Sequence, residues 1–172
     1  GHTLLLMSNA TAVSVHLMKK LPFDVVKDLA PISTLGFFEL GIAVNADSRF
    51  KTLAEMLNYA RAQPGKLTIG TITVGSTQHL SAELFKSRAG IEATVVPYKG
   101  SPAVINALRS GDVDVVLEIL GALLPQLAGK TLRALAVTGT ARFPLLPEVP
   151  TVVEQGIKGY TVDSWNALAA PA

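Results

Sequence analysis

The 172-residue chain contains no cysteine, so neither a disulfide framework nor a thiolate metal site is open to it. Freedom from cysteine suits an exported protein that avoids accidental pairing. Charged residues are scarce, 16% against 49% hydrophobic, a balance that excludes a disordered chain and allows a sizeable core. The basic excess is slight, a net charge of +2 with a pI near 9.0. Lysines are scattered (Lys19-Lys20, Lys51, Lys66, Lys86, Lys99, Lys130) with no stripe of interleaved aromatics, so no nucleic-acid partner is read. Mean hydropathy is high at +0.39, yet long apolar runs are missing. Leu35–Val44 and Val113–Ala128 are short or interrupted by Glu39, Asp114 and Glu118, and neither has the length to span a bilayer. The chain also lacks a Gly-x-Ser-x-Gly elbow and a Gly-x-x-x-x-Gly-Lys phosphate loop. No cluster reads as a metal centre, and no cofactor site is read.

What is present is an alternation of strand and helix patterns. Thr3–Met7 is an apolar run, followed by helical character over Ala10–Met18. Ile32–Gly36 and Leu40–Val44 read as two strands, the second apolar throughout as expected for a strand buried on both faces. Thr52 and Glu55 have the spacing of a capping box, Leu53, Met56, Leu57 and Ala60 make one apolar face, and Pro64-Gly65 ends the helix. Next come strand Leu67–Ile72, helix Gln78–Ala89 closed by Gly90, strand Ala93–Val96, helix Pro102–Ser110 closed by Gly111, and strand Val113–Leu117. Ser101 falls at the N-cap position of the second of these helices and Pro102 at its first turn. A short helix over Leu123–Leu127, a strand over Leu132–Val137, a second capping box at Thr151 and Glu154 opening a short helix, and an extended Tyr160–Ala169 complete the pattern. Short connections between alternating elements mean right-handed βαβ units, and so an α/β fold with a mostly parallel sheet flanked by helices.

Ligands of such sheets bind at the carboxyl ends of the strands. Two stretches lie there: Gly75-Ser76-Thr77-Gln78-His79, and Tyr98-Lys99-Gly100-Ser101. In each, a strand gives way to glycine and a hydroxyl and then to a helix. The first helical turn has N–H groups without intrahelical partners, and the helix dipole adds positive charge, so a carboxylate or phosphate is favoured. Gly75, Ser76 and Thr77 are candidate ligand residues through hydroxyl and backbone N–H groups. His79 is either a packed or capping histidine or a direct contact. Tyr98 offers a phenol and Lys99 a cation, or the pair is a solvated strand end; Gly100 and Ser101 act through backbone amides. Ser8 and Asn9 lie at another strand end, as a helix cap or a ligand contact. Trp165 reads as packing, and His2 and His16 as structural.

These residues resemble a known family. Gly1-His2-Thr3-Leu4-Leu5-Leu6, Leu21-Pro22-Phe23-Asp24 with Asp28-Leu29-Ala30-Pro31-Ile32, Gly75-Ser76 with His79-Leu80, and Val96-Pro97-Tyr98-Lys99-Gly100 look like the tripartite tricarboxylate transporter solute receptors, or Bug-type receptors. Leu132–Thr138, Leu146–Thr151 and Trp165 with Leu168–Ala172 fit the same pattern in the same order. The resemblance implies a two-lobe fold similar to type II periplasmic binding proteins. It implies a periplasmic location, a small carboxylate ligand, closure about a hinge, and membrane permease subunits as partners. It further implies that the chain lacks segments at both ends, including the Gly-rich ligand loop of lobe 1. Residues 1–43 are then a remnant of lobe 1, 44–164 the ligand-binding lobe 2, and 165–172 the crossover back. Glu118 stands where the family often has Asp, and either holds a ligand amine or organises the cleft by hydrogen bonding.

Capture without chemistry is therefore the leading expectation. One alternative is an α/β enzyme acting on an acidic or phosphorylated small molecule through the same loops. The other is a self-associating isolated lobe, forming a homo-oligomer through apolar surface bared around Thr3–Met7 and Leu35–Val44.

Overall fold

The computed structural model describes residues 2–18 and 20–172; Gly1 of the N-terminal motif and Lys19 lie outside them. In chain order the elements are β1 (Leu5–Ser8), α1 (Asn9–Leu17), β2 (Leu29–Asn45), α2 (Leu53–Ala62), β3 (Leu67–Ile72), α3 (Thr77–Ala89), β4 (Ala93–Tyr98), α4 (Ser101–Ser110), β5 (Val115–Ile119), α5 (Leu120–Ala128), β6 (Leu132–Val137) and β7 (Asp163–Pro171).

The sheet order is β1-β7-β2-β5-β3-β4, with β6 on the free side of β2. The α/β class with flanking helices is as expected. The expectation of parallel pairing holds across β5, β3 and β4, whereas β1, β2, β6 and β7 pair antiparallel. The cause is β2. Ile32–Gly36 and Leu40–Val44, expected as two strands, form one strand of 17 residues, continuous through Phe37-Phe38-Glu39 despite register shifts against β7 at Pro31/Ser33 and Thr34/Gly36. Its first part pairs with β7 as far as Glu39↔Asp163. From Leu40 onward it pairs with β5 on one side and β6 on the other.

Alternating residues of the central strands fill two cores. Ile69, Val115 and Leu117 pack with Leu53 and Met56 of α2 and Phe85 of α3, and with Tyr160. Ala43 and Val116 point the other way, among Val104 and Leu108 of α4 and Leu120 and Leu123 of α5. Helices on both faces explain why the strands read as continuous apolar runs. Gly70 lets α4 approach β3: a Cβ there would meet Val104 Cγ2 at 2.8 Å and Val113 Cγ2 at 3.0 Å.

Helix ends follow local chemistry. The Thr52 capping box closes, with Glu55 N–H donating to Thr52 Oγ1 at 3.2 Å and Thr52 N–H to Glu55 Oε2 at 3.3 Å. Several expected boundaries move. β5 starts two residues later than read, because Asp114 is held by Thr68, whose N–H and hydroxyl donate to Asp114 Oδ2 at 3.0 and 2.9 Å. α5 runs from Leu120 with Pro125 inside it. The second capping box also closes, at 3.0 Å from Glu154 N–H to Thr151 Oγ1 and 2.8 Å from Thr151 N–H to Glu154 Oε2, but only turns follow it. Val152 N–H donates instead to Val137 O at 2.9 Å. β-Branched Val152 and Val153 and the left-handed Gly156 (φ 93°) give a helix little to propagate through.

Candidate functional site

The carboxyl ends of β3, β4 and β5 lie on one rim. Ile72 is in register with Tyr98, and Ile119 pairs with Leu40, where β2 changes partners. The two junctions expected to bind an anion are thereby neighbours.

At the first, Gly75 takes a left-handed conformation (φ 83°), and a Cβ on it would lie 2.8 Å from Leu17 Cδ1 at the end of α1. Ser76 is the N-cap of α3: its hydroxyl accepts from His79 N–H at 3.2 Å and donates to Ile72 O at 3.4 Å. Thr77 and Gln78 then occupy the first two helical positions, and their N–H groups find no acceptor among the described residues. Two free amides at the positive end of a 13-residue helix are the strongest anion-attracting feature of the rim.

The second junction is weaker than its sequence suggests. The N-cap of α4 is Gly100 (φ 90°), not Ser101, and it makes no side-chain cap bond. Gly100 N–H is used by Tyr98 O at 3.1 Å, and Ala103 N–H by Gly100 O at 3.2 Å. Pro102 has no N–H, so in this first turn the amide and hydroxyl of Ser101 are left without a partner among the described residues. Tyr98 packs half-buried beside the α4 core, and Lys99 is exposed.

Side chains of the first turn of α3 are tied down from two sides. Thr77 Oγ1 and Ser164 Oγ of β7 share a hydrogen bond of 3.0 Å. Gln78 Nε2 donates to Glu118 Oε1 at 2.6 Å, and Ile119 N–H donates to the same oxygen at 2.7 Å. Glu118 is fully buried, and its Oε2 has no partner among the described residues. Of its two sequence readings, the hydrogen-bonding one has observed contacts. Gln78 and Ser164 were not singled out from sequence. For Gln78 a signal existed, a polar residue on the inward face of a first turn; for Ser164 there was none.

Ser8 and Asn9 join the rim through β7. Ser8 pairs with Asn166, and Asn9 Nδ2 donates to Asp163 O at 3.4 Å, next to the Ser164 that holds Thr77. Asn9 Oδ1 and His79 Nδ1 are buried without a donor or acceptor among the described residues. His79 is thus a half-buried histidine whose backbone serves the cap.

Where β2 changes partners, burial first and the neighbouring Asp163 second push the Glu39 carboxyl above its ordinary value. Thr138 joins the strands at this level. Its Oγ1 donates to Val162 O at 2.6 Å and accepts from Leu40 N–H at 3.1 Å. Among the described residues no three His, Asp or Glu side chains group as metal ligands, and no helix is long and apolar enough to cross a membrane.

Helix N-termini thus lie at the ends of parallel strands, with a long antiparallel pair leading away from the same rim. The chain belongs to the tripartite tricarboxylate transporter family receptors, whose family profile matches residues 1–172. Protein BugT of Bordetella pertussis is 36% identical over 174 residues, covering 99% of this chain and 53% of BugT. Among solved structures, R. palustris Rpa4515 with adipate superposes with a TM-score of 0.93 at 34% identity, covering 99% of this chain and 57% of that one. MatC (Rpa3494) from Rhodopseudomonas palustris with bound malate gives 0.89 at 27%, covering 99% and 58%. The periplasmic binding protein BugD gives 0.90 at 26%, covering 98% and 56%. The chain spans about half the length of the curated relatives it matches.

Proposed function

We propose that this chain carries the anion-binding half of a receptor that captures a small carboxylate without chemistry and hands it to membrane permease subunits, in the periplasm. The observation that carries the reading is the pair of unpaired amides of Thr77 and Gln78, held in place by Ser164 and Glu118. A carboxylate seated there accepts two charge-assisted hydrogen bonds at a helix N-terminus. Ser76 acts through its cap, Gly75 through its backbone, and Ser101 with Gly100 supplies the flank of the cleft. Tyr98, Lys99, His79, Ser8 and Asn9 line the rim as secondary contacts. Glu118 acts beneath the site, as the anchor of Gln78. Relatives solved with adipate and malate support a dicarboxylate.

The division into 1–43, 44–164 and 165–172 belongs to the same proposal. The exchange of β2 partners at Glu39 and Leu40, spanned by Thr138, supports a hinge at this level. A second feature favours the self-association reading for the chain in isolation. Leu4, Leu6, Ile32, Leu35 and Phe37 on the β1-β7-β2 sheet and its margins are exposed, Phe37 by 72%. In a full-length receptor the remaining half of the polypeptide covers this surface; without it, copies of the chain associate through it.

The test is a thermal-shift screen against succinate, malate, citrate, glutamate, adipate, aromatic carboxylates and phosphate. A ligand at a hundred times its Kd adds roughly 2.7 kcal/mol, a shift of several degrees. A selective shift with one carboxylate class supports capture. Turnover of a carboxylate or phosphate ester would replace it with an enzyme. Absence of any shift, both here and in a version extended to the relatives' full length, would reject it.

A further inference from the structure

The last rung of the β2-β7 ladder sets two carboxyl groups opposite one another, Glu39 and Asp163. Like charges directly across an antiparallel pair destabilise it. The rung lies where β2 leaves β7 for β5 and β6, the level of the hinge proposed above. Asp163 is exposed, whereas Glu39 is half-buried and folded down onto Gly139. A Cβ at that glycine would lie 2.6 Å from the Glu39 carboxyl carbon and 2.7 and 2.8 Å from Oε2 and Oε1. Oε2 is shut off from solvent and has no donor among the described residues. A carboxylate short of both water and hydrogen bonds favours its neutral form.

Among the described residues no cation pairs with Glu39. On β7 it faces Asp163, and burial together with that charge holds its carboxyl above the ordinary range. On β5, Glu118 pairs with Gly41, two residues further along β2, and its carboxyl is turned to Gln78 and to Ile119 N–H. α5 carries no charged residue, and α1 contributes Asn9, bonded to Asp163 O. The segment after β6 brings Gly139, Thr140 and Phe143 around a small cavity of about 210 Å³ beside the rung. Its one cation, Arg142, is taken by Glu154 Oε2 at 3.0 Å and by Pro147 O at 3.1 Å.

A single peptide link joins the rung to the anion site. Ser164 follows Asp163, and its hydroxyl shares the 3.0 Å bond with Thr77. On the other side of Asp163, Val162 is held by Thr138, which accepts from Val162 N–H at 3.0 Å and donates to Val162 O at 2.6 Å. A movement of residues 162–164 away from β2 therefore reaches the first turn of α3 through one hydrogen bond.

We propose that Glu39 and Asp163 form a proton-operated latch: with a proton on Glu39 the start of β7 stays against β2 and Ser164 holds Thr77, and loss of that proton to water loosens residues 162–164 and with them the grip on the carboxylate. The direction follows from charge. Below the titration of Glu39 the rung carries one negative charge, shared by no neighbour; above it the rung carries two, one of them half-buried against Gly139. The closed latch is thus the low-pH state, and its contribution is lost as pH rises through the folded-state value of Glu39. The effect on the ligand rests on the carboxylate reading above, whereas the latch itself does not.

The test follows the Glu39 side-chain carboxyl and the backbone amides by NMR between about pH 4 and pH 8. Glu39 should titrate above the ordinary value of 4.5, and the amides of Val162, Ser164 and Thr77 should shift with the same midpoint. Solvent exchange of the Val162 amide, corrected for the intrinsic effect of pH, should rise about threefold or more across it. Glu39→Gln, which has no proton to lose, should keep these amides at their low-pH positions throughout. Asp163→Asn, at an exposed position, should lower the Glu39 midpoint. Calorimetry with adipate at each pH compares wild type with Glu39→Gln, so that the ionisation of adipate itself cancels. The two should bind alike at low pH, and wild type about threefold or more weakly above the midpoint. The latch is overturned if Glu39 titrates at or below 4.5, if Val162, Ser164 and Thr77 do not respond to its titration, or if Glu39→Gln retains the wild-type transition. Adipate bound by neither protein at any pH would count against the carboxylate reading, and the amide shifts would still decide the latch.

Discussion

Replacing Gln78 by Leu removes the only side-chain donor, among the described residues, to the completely buried carboxyl of Glu118. The side chains are similar in size and Gln78 is itself 6% exposed, so the change acts mainly through the hydrogen bond. A bond to a buried carboxyl group contributes on the order of 1–3 kcal/mol, and leaving both of its oxygens short of donors in the interior adds to that. Gln78→Leu should therefore cost roughly 2–4 kcal/mol. Glu118→Leu should cost a similar amount, since it strands both the Gln78 amide and Ile119 N–H. The double variant strands only Ile119 N–H and should lose about 1–2 kcal/mol, so the cycle shows a coupling of at least roughly 2 kcal/mol. Urea unfolding followed by circular dichroism measures all four proteins. In the same double variant the first turn of α3 has lost its β5 anchor, so stability should largely recover while carboxylate affinity stays about tenfold down. Two results would refute the reasoning. Additive single effects would mean that the bond does not matter, and full recovery of affinity would mean that it does not position the amides.

Gly75→Ala should lower stability by about 1–2 kcal/mol, because φ of 83° is unfavourable for any residue with a Cβ, and should weaken the same ligand; paired melting and calorimetry check both. Thr138→Val should cost about 1–3 kcal/mol in urea unfolding, since a buried hydroxyl that bridges Leu40 N–H and Val162 O is lost. Glu39 gives a pH dependence. Its carboxyl titrates above the unfolded value, so the folded state holds the proton more tightly, and this contribution to stability is full below the unfolded value near 4.5 and is lost as pH rises through the folded one. Glu39→Gln should accordingly raise the melting temperature at pH 7 relative to wild type and make little difference at pH 4; an equal gain at both would refute the assignment.

The α/β alternation, the limits of β3 and β6, the caps at Thr52, Gly90 and Gly111, and the rim location of Gly75–Thr77 were all legible in the residue order, whereas α3 starts one residue earlier than read and takes Ser76 as its cap. Each depends on neighbours a few positions apart: an apolar run, a hydroxyl three residues before an amide, a glycine where the chain must turn left-handed. Local signals had limits even so. The Thr151–Glu154 box closed its hydrogen bonds without starting a helix, because β6 offered Val152 a partner 15 residues away. Ser101 proved to lie inside α4 because Gly100, at a positive φ of 90° that favours glycine, took the cap.

Tertiary structure alone decided what the rim residues do. Thr77 meets Ser164 across 87 residues, Gln78 meets Glu118 across 40, and Leu40 meets Thr138 across 98. No spacing rule pairs residues so far apart in sequence. Glu118, open to two readings as part of a sequence, is enclosed once β5 lies between β2 and β3, and its place beneath α3 makes it an anchor. The merging of two expected strands into β2 has the same origin. A strand end is set by where pairing partners run out, and β7, β5 and β6, which pair with β2 in succession, lie far along the chain. Local order thus specified the elements and the free amides, while long-range packing specified which side chains hold those amides in place.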